Sequence, residues 1–296
     1  MQSRRAGMNR MTPYLYVLPC VLLLGIFVYV PIVANFFYST RSFSAFSPTK
    51  DFVGLQNFRT LFSDPVIGVA IRNNIWYCII SVAIQVCLAL VIAALLEDRL
   101  LSKISTELRT TYFLPVLISM TVVALLFNFL YDSRIGLVNQ ALKFIGFRNP
   151  PAWTGDPKSA IFSAIIMSQW HSTGYTTMLF IVAIQGIPQD LYEAAEIDGA
   201  NRFSRFWNIT VPQVREMMFV TMVTTVTGAF LVFNDVYILT QGGPGNASTT
   251  LAVYMYRNAF NLDKMGYAST IAVLMFIICM VLAVIQNVAF RSGKGD

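Results

Sequence analysis

Residues 193–212 read EAAEIDGANRFSRFWNITVP, and five of them up to Ile209 are charged. The stretch lies between two runs, 159–189 and 217–234, that contain no Asp, Glu, Lys or Arg. Asp190, Glu193, Glu196 and Asp198 give its start negative charge, which suits a helix N-terminus. Pro188 fits the first turn of that helix, where a missing amide costs nothing. Ala194 and Ala195 are small enough to lie close against another surface, and Gly199 permits a turn. Asn201–Arg205 then brings basic character. Phe203, Phe206, Trp207 and Ile209 add an apolar face, and Pro212 marks the approach to the next run. A plain connector needs roughly three or four residues, yet 188–215 spends 28. That ordered length reads as a docking element that receives a push from a partner in water.

The rest of the chain sets this element in a membrane. Of 296 residues, 56% are hydrophobic and only 12% charged, against about 25% charged in soluble domains. Mean hydropathy is +0.60. Charge is also missing from 11–40, 73–96, 110–131 and 265–290, which makes six runs of at least 18 residues. A spanning helix needs roughly 17–25. The runs are continuously apolar rather than alternating, so they are not barrel strands. Backbone groups in hydrocarbon must pair within the segment, which makes them helices. The sequence therefore predicts an all-α polytopic membrane protein with six transmembrane helices.

Arg4, Arg5 and Arg10 ahead of the first run look like the start of a secretory signal. The run is long, carries Pro13, Pro19 and Pro31, and lacks a small-x-small site, so it reads as a retained first helix. With both ends inside, 11 basic residues fall on the inner side, Arg99, Lys103 and Arg109 among them, and 10 on the outer side. The positive-inside rule favours this orientation only by that margin. The basic residues form no stripe, so the net charge of +6 is not a nucleic-acid footprint. Cys20, Cys78, Cys87 and Cys279 sit in apolar runs with no metal spacing. Outside, Leu55, Phe58, Leu61 and Phe62 suggest a short amphipathic helix on the membrane face. The proline-rich segment around Pro150, Pro151 and Pro157 excludes one long helix. Trp153 fits an interfacial position. There is no GxxxxGK[ST] loop, so the chain should not bind ATP itself.

Glu193-Ala194-Ala195, Asp198-Gly199-Ala200 and the distal Pro212 resemble the signature of inner-membrane permeases of binding-protein-dependent ABC importers. YLYVLPCVLLLGIFVYVPIVANFFYS (14–39), FVGLQNFRTLFSDP (52–65), WHSTGYTTMLFIVAIQGIPQDLYEAA (170–195) and ILTQGGPGNASTTLAVYMYRNAF (238–260) narrow the likeness. Together they are similar to the MalF-like, or glycerol-phosphate-permease-like, partner in carbohydrate importers, from about Pro13 to the C-terminus. The resemblance implies a type I ABC importer permease fold in a bacterial or archaeal cytoplasmic (inner) membrane. It divides the chain into a cytoplasmic tail (1–12), a six-span permease domain (13–290) with a coupling loop at 188–215, and a second tail (291–296). It implies a homologous second permease, two copies of an ABC ATPase, an extracytoplasmic solute-binding protein and a sugar substrate. ATP and Mg would belong to the ATPase, with no cofactor or metal in this chain. Glu193–Ala200 would be the coupling helix in a cleft of the ATPase, driving alternating access by rigid-body rocking.

Polar residues inside the spans are candidates for the substrate path. Sugars are held by planar polar groups and by aromatic rings that stack on their apolar faces. Asn128, Gln169, Trp170, Tyr175 and Asn234 offer that chemistry, and Asn234 falls near where the family places sugar contacts. Asp235 fits a bond at the cavity rim or a cap on a broken span. Threonines at 221, 224, 225 and 227, and Gly174, read as helix packing. The lone His171 reads as packing or gating. Gln241–Gly245 should end the fifth span in a bend, with Gly242, Gly243 and Pro244 at an outer gate or docking surface, before a helical return over 251–260. Alternative readings are a glycerol phosphate or polyol permease, or a polytopic membrane enzyme or anchor.

Overall fold

A computed structural model describes residues 12–46, 49–98 and 104–292. Most of both expected tails, and Arg99 and Lys103, lie outside the described residues. The chain divides into two compact units, one of residues 1–63 and 258–274, the other of 64–257 and 275–296.

In the first unit, α1 (Tyr14–Ser39) is long and apolar, and its most hydrophobic window buries nothing within the chain. A short antiparallel hairpin follows, β1 (Arg41–Ser42) with β2 (Asp51–Phe52). Then comes α2 (Gln56–Ser63). The Asn57 amide donates to the carbonyls of Ser39 and Arg41, both at 2.9 Å, and the Thr270 hydroxyl donates to Ser39 at 3.1 Å. The Ser39 carbonyl is one of those left over at the end of α1. The expected amphipathic helix is present, but its stripe divides. Leu61 is buried, Phe58 is half-buried, and Phe62 is 82% exposed. Leu55 precedes the first turn and Phe62 sits about 100° around the helix from Leu61.

The second unit contains α3 (Pro65–Glu97), α4 (Ser105–Leu117), α5 (Met120–Leu130), α6 (Leu137–Phe144) and α7 (Ala160–Gln185). It continues with α8 (Gln189–Ile197), α9 (202–213), α10 (Arg215–Leu231) and α11 (Asn234–Thr240). The helical return α12 (251–261) and the long α13 (Met265–Ser292) complete the chain. Asp64 starts α3 as an N-cap, accepting from the Val66 amide. One apolar cluster joins Tyr77, Val123, Ile165, Met167, Val236 and Val253. A second joins Val86, Leu90, Phe180, Ile184, Ile187 and Val214, next to α8 and α9.

Among the described residues, four helices are long and apolar enough to cross a membrane: α1, α3, 215–240 and 265–290. A fifth is counted if α4 and α5, bent by 99°, form one span. At 26 residues α7 has the length, roughly 39 Å. Its serine, glutamine, histidine and threonine content leaves it outside that set. By length and composition the described helices therefore support four or five spans, and the third and fifth charge-free runs are broken. In the third, Pro115 lacks an amide and Ile118 and Ser119 turn to extended backbone. In the fifth, the helix stops at Leu231 and resumes at Asn234.

Candidate functional site

The helix that carries Glu193-Ala194-Ala195 begins one residue later than its sequence suggests. Pro188 is the N-cap, with ψ 131°, rather than a first-turn residue. No residue of α8 is buried. Glu193, Ala194, Asp198 and Gly199 are exposed, and Ala195 and Ala200 half-buried. Gly199 has φ +78°. Its amide bonds Glu196 at 3.1 Å and the Ala200 amide bonds Ala195 at 2.8 Å, the two bonds of a Schellman turn. Asn201 then caps α9, accepting from Ser204 at 2.8 Å. The Tyr192 and Thr210 hydroxyls bond at 2.9 Å, and Arg205 pairs with Glu196. These contacts fold 189–213 back on itself as one piece. Pro212 is exposed near its end. A cavity of about 790 Å³ opens between this piece and the ends of α3 and α7, with Leu95, Asp98, Gln185, Glu193 and Arg202 in its wall.

The substrate-path candidates divide by environment. α11, which opens with Asn234, packs against α5 and α7, the helices that carry Asn128, Gln169, Trp170 and Tyr175. Asn234 is exposed and Asn128 half-buried. Tyr175 is 52% and Trp170 47% exposed, with the Trp170 ring against Phe127 at 5.5 Å. Gln169 differs, at 4% exposure. It accepts from Gln85 at 2.8 Å and donates to Ser81 at 2.9 Å, which ties α7 to α3. Asp235 accepts from the Tyr77 hydroxyl at 2.5 Å. Trp153 stacks on Tyr131 at 5.5 Å and donates to Asn139 at 2.7 Å.

Three residues satisfy the carbonyls freed by the broken spans. His171 Nε2 lies 3.0 Å from the Ile118 carbonyl. A carbonyl only accepts, so the proton sits on Nε2. The Thr250 hydroxyl donates to Val232 at 3.0 Å. The fully buried Asn74 donates to Ala229 at 2.7 Å and accepts from the Leu251 amide at 3.0 Å. Its neighbour Asn73 donates to the carbonyls of Ala247 and Thr249. The bend at Gly242-Gly243-Pro244 is held from within: Thr249 donates to the Gly242 carbonyl, Ser248 to that of Gly243, and the Ala247 amide to that of Pro244. Sequence reading missed Tyr77, Asn73 and Asn74. They stand in or at the edge of a charge-free run, and their partners are more than 150 residues away.

A family model described as "Binding-protein-dependent transport system inner membrane component" matches residues 85–292. The probable ABC transporter permease protein YurN of Bacillus subtilis is 51% identical over 97% of this chain and 99% of its own length. The trehalose/maltose transport system permease protein MalF of Thermococcus litoralis is 32% identical over 92% of this chain and 91% of its own. A chain from the bacterial alginate ABC transporter, solved in complex with an alginate pentasaccharide-bound periplasmic protein, superimposes with a TM-score of 0.83. It covers 96% of this chain and 95% of its own at 22% identity, a likeness of fold. With a family model matching residues 85–292 and relatives at 51% and 32% identity over nearly the whole chain, the chain belongs to the binding-protein-dependent transport system inner membrane component family.

Proposed function

We propose that this permease forms half of the translocation path of an ATP-driven sugar or oligosaccharide importer. Membership of the family makes it a translocation component rather than an enzyme and closes the reading as a membrane enzyme or anchor. The carbohydrate assignment follows its relatives, one of which serves trehalose and maltose by name. The other half of the path is a homologous second permease. Two copies of an ABC ATPase, holding ATP and Mg, sit on the cytoplasmic face, and a solute-binding protein docks on the other, near Gly242–Pro244. Six spans, with α4 and α5 as one and α7 as another, put both termini in the cytoplasm. Asn234, Tyr175, Trp170 and Asn128 face the sugar. Gln169 and Asp235 hold the helices that present them.

The observation that carries this reading is α8. A nine-residue helix with no buried residue, closed by a rigid turn, is a surface built for another protein. The acidic Glu193 meets a basic group in the ATPase, and Ala194 and Ala195 allow close approach. Glu193→Lys and Gly199→Asp are expected to uncouple ATP hydrolysis from uptake in vesicles while the complex still assembles. Wild-type uptake in both would overturn the coupling role. The solute is identified by mass analysis of the ligand on the co-purified binding protein, and a non-carbohydrate ligand would overturn the sugar assignment. Glycerol phosphate would call for cationic groups in the path, and the charge-free runs of this chain contain no arginine.

A further inference from the structure

Glu97, the last residue of α3, joins more helix ends than any single contact of the coupling helix. Its carboxylate accepts from Arg109 of α4 at 2.5 Å and from Gln185, the last residue of α7, at 3.2 Å. Arg109 also donates to the Leu96 carbonyl at 3.3 Å, capping the end of α3. The next residue, Asp98, pairs with Arg202 at 3.6 Å. Arg202 opens α9, directly after the Schellman turn. The Glu97 and Arg109 side chains are only 19% and 25% exposed, so water screens this pair less than a surface pair. The cavity between the coupling piece and the ends of α3 and α7 leaves part of that junction unpacked. Polar links at its rim therefore matter to how firmly the parts move together.

We propose that Glu97 is a positioning residue for energy coupling. It fastens the ends of α3, α4 and α7 together, so that a displacement arriving through Arg202 and Asp98 moves three spans as one. The proposal rests on the coupling role given to α8. Motion passed to α4 leads on to the bend that His171 holds in place.

The test uses the whole transporter in vesicles and compares uptake per ATP hydrolysed. Glu97→Ala is expected to lower that ratio about tenfold, within the range usual for coupling between sites, with ATPase activity retained. Glu97→Gln keeps an acceptor oxygen for both donors and is expected to recover most of the ratio. Gln185→Leu removes one link alone and should lower it about threefold; it also serves if Glu97→Ala does not assemble. A wild-type ratio in Glu97→Ala, or in Gln185→Leu where the alanine variant is lost, would overturn the proposal. So would a parallel loss of ATPase and uptake that Glu97→Gln does not restore. Gly199→Asp is measured alongside. If it too keeps the wild-type ratio, the coupling role of α8 has failed; if it uncouples while Glu97→Ala does not, only the Glu97 proposal has failed.

Discussion

A methyl group at position 174 has nowhere to go. A Cβ there would lie 1.9 Å from the Tyr112 carbonyl oxygen, so α7 and α4 touch backbone to backbone. Gly174→Ala is expected to destabilise the solubilised protein by about 1–3 kcal/mol, read as a lowered thermal midpoint; an unchanged midpoint would disprove the contact. Gly199 is the opposite case, with open space around it and only its backbone angle to constrain it. Gly199→Ala should cost about 1–2 kcal/mol at the turn while leaving the body of the protein intact. Both glycines were legible in the sequence, because glycine marks either a close approach or a left-handed backbone. Gln169 was less legible. A planar amide in a span suits a sugar as well as a neighbouring helix, and only the positions of Gln85 and Ser81 decide. Gln169→Ala should therefore lower the thermal midpoint and leave the KM for uptake unchanged; a raised KM with unchanged stability would return Gln169 to the sugar site.

Among the elements, two prolines are accommodated in the same way. The Val30 amide bonds Gly25, and the Val211 amide bonds Phe206, each five residues back. Pro31 and Pro212 follow directly. A proline ring clashes with the carbonyl four residues back, and one widened turn moves that carbonyl aside. Sequence reading placed the prolines but not the widening, which depends on the turn before them. The break in the third run was hidden for a related reason, and that in the fifth was offered only as one reading of Asp235. Charge and hydropathy register only whether a segment tolerates lipid, and a broken helix with satisfied carbonyls tolerates it as well as a straight one. Asn74→Leu tests this. It leaves the Ala229 carbonyl and the Leu251 amide unpaired, and should cost about 2–4 kcal/mol, measured as loss of thermal stability together with loss of uptake. A variant as stable as the wild type would mean that the broken span does not depend on Asn74.

For the whole molecule, six charge-free runs marked where the long helices lie and set 188–215 apart as a polar connection between two of them. Orientation rests on a margin of one basic residue, so it calls for direct measurement. Phe62→Cys and Ile197→Cys place thiols at strongly exposed positions, 82% and 87% accessible. In right-side-out vesicles an impermeant maleimide is expected to label position 62 and spare 197. The reverse pattern would invert the topology, and with it the assignment of α8 to the ATPase side.

The seals on the two breaks also carry a timetable. Ribosomes deliver the chain from its N-terminus, so Asn74 is made 155 residues ahead of the Ala229 carbonyl it will bind. The later helix finds its donor already waiting. His171 comes 53 residues behind Ile118, and nothing from that ring can reach the earlier peptide group while it is being threaded into lipid. The kink at 118 can therefore be completed only once the chain has been made as far as His171.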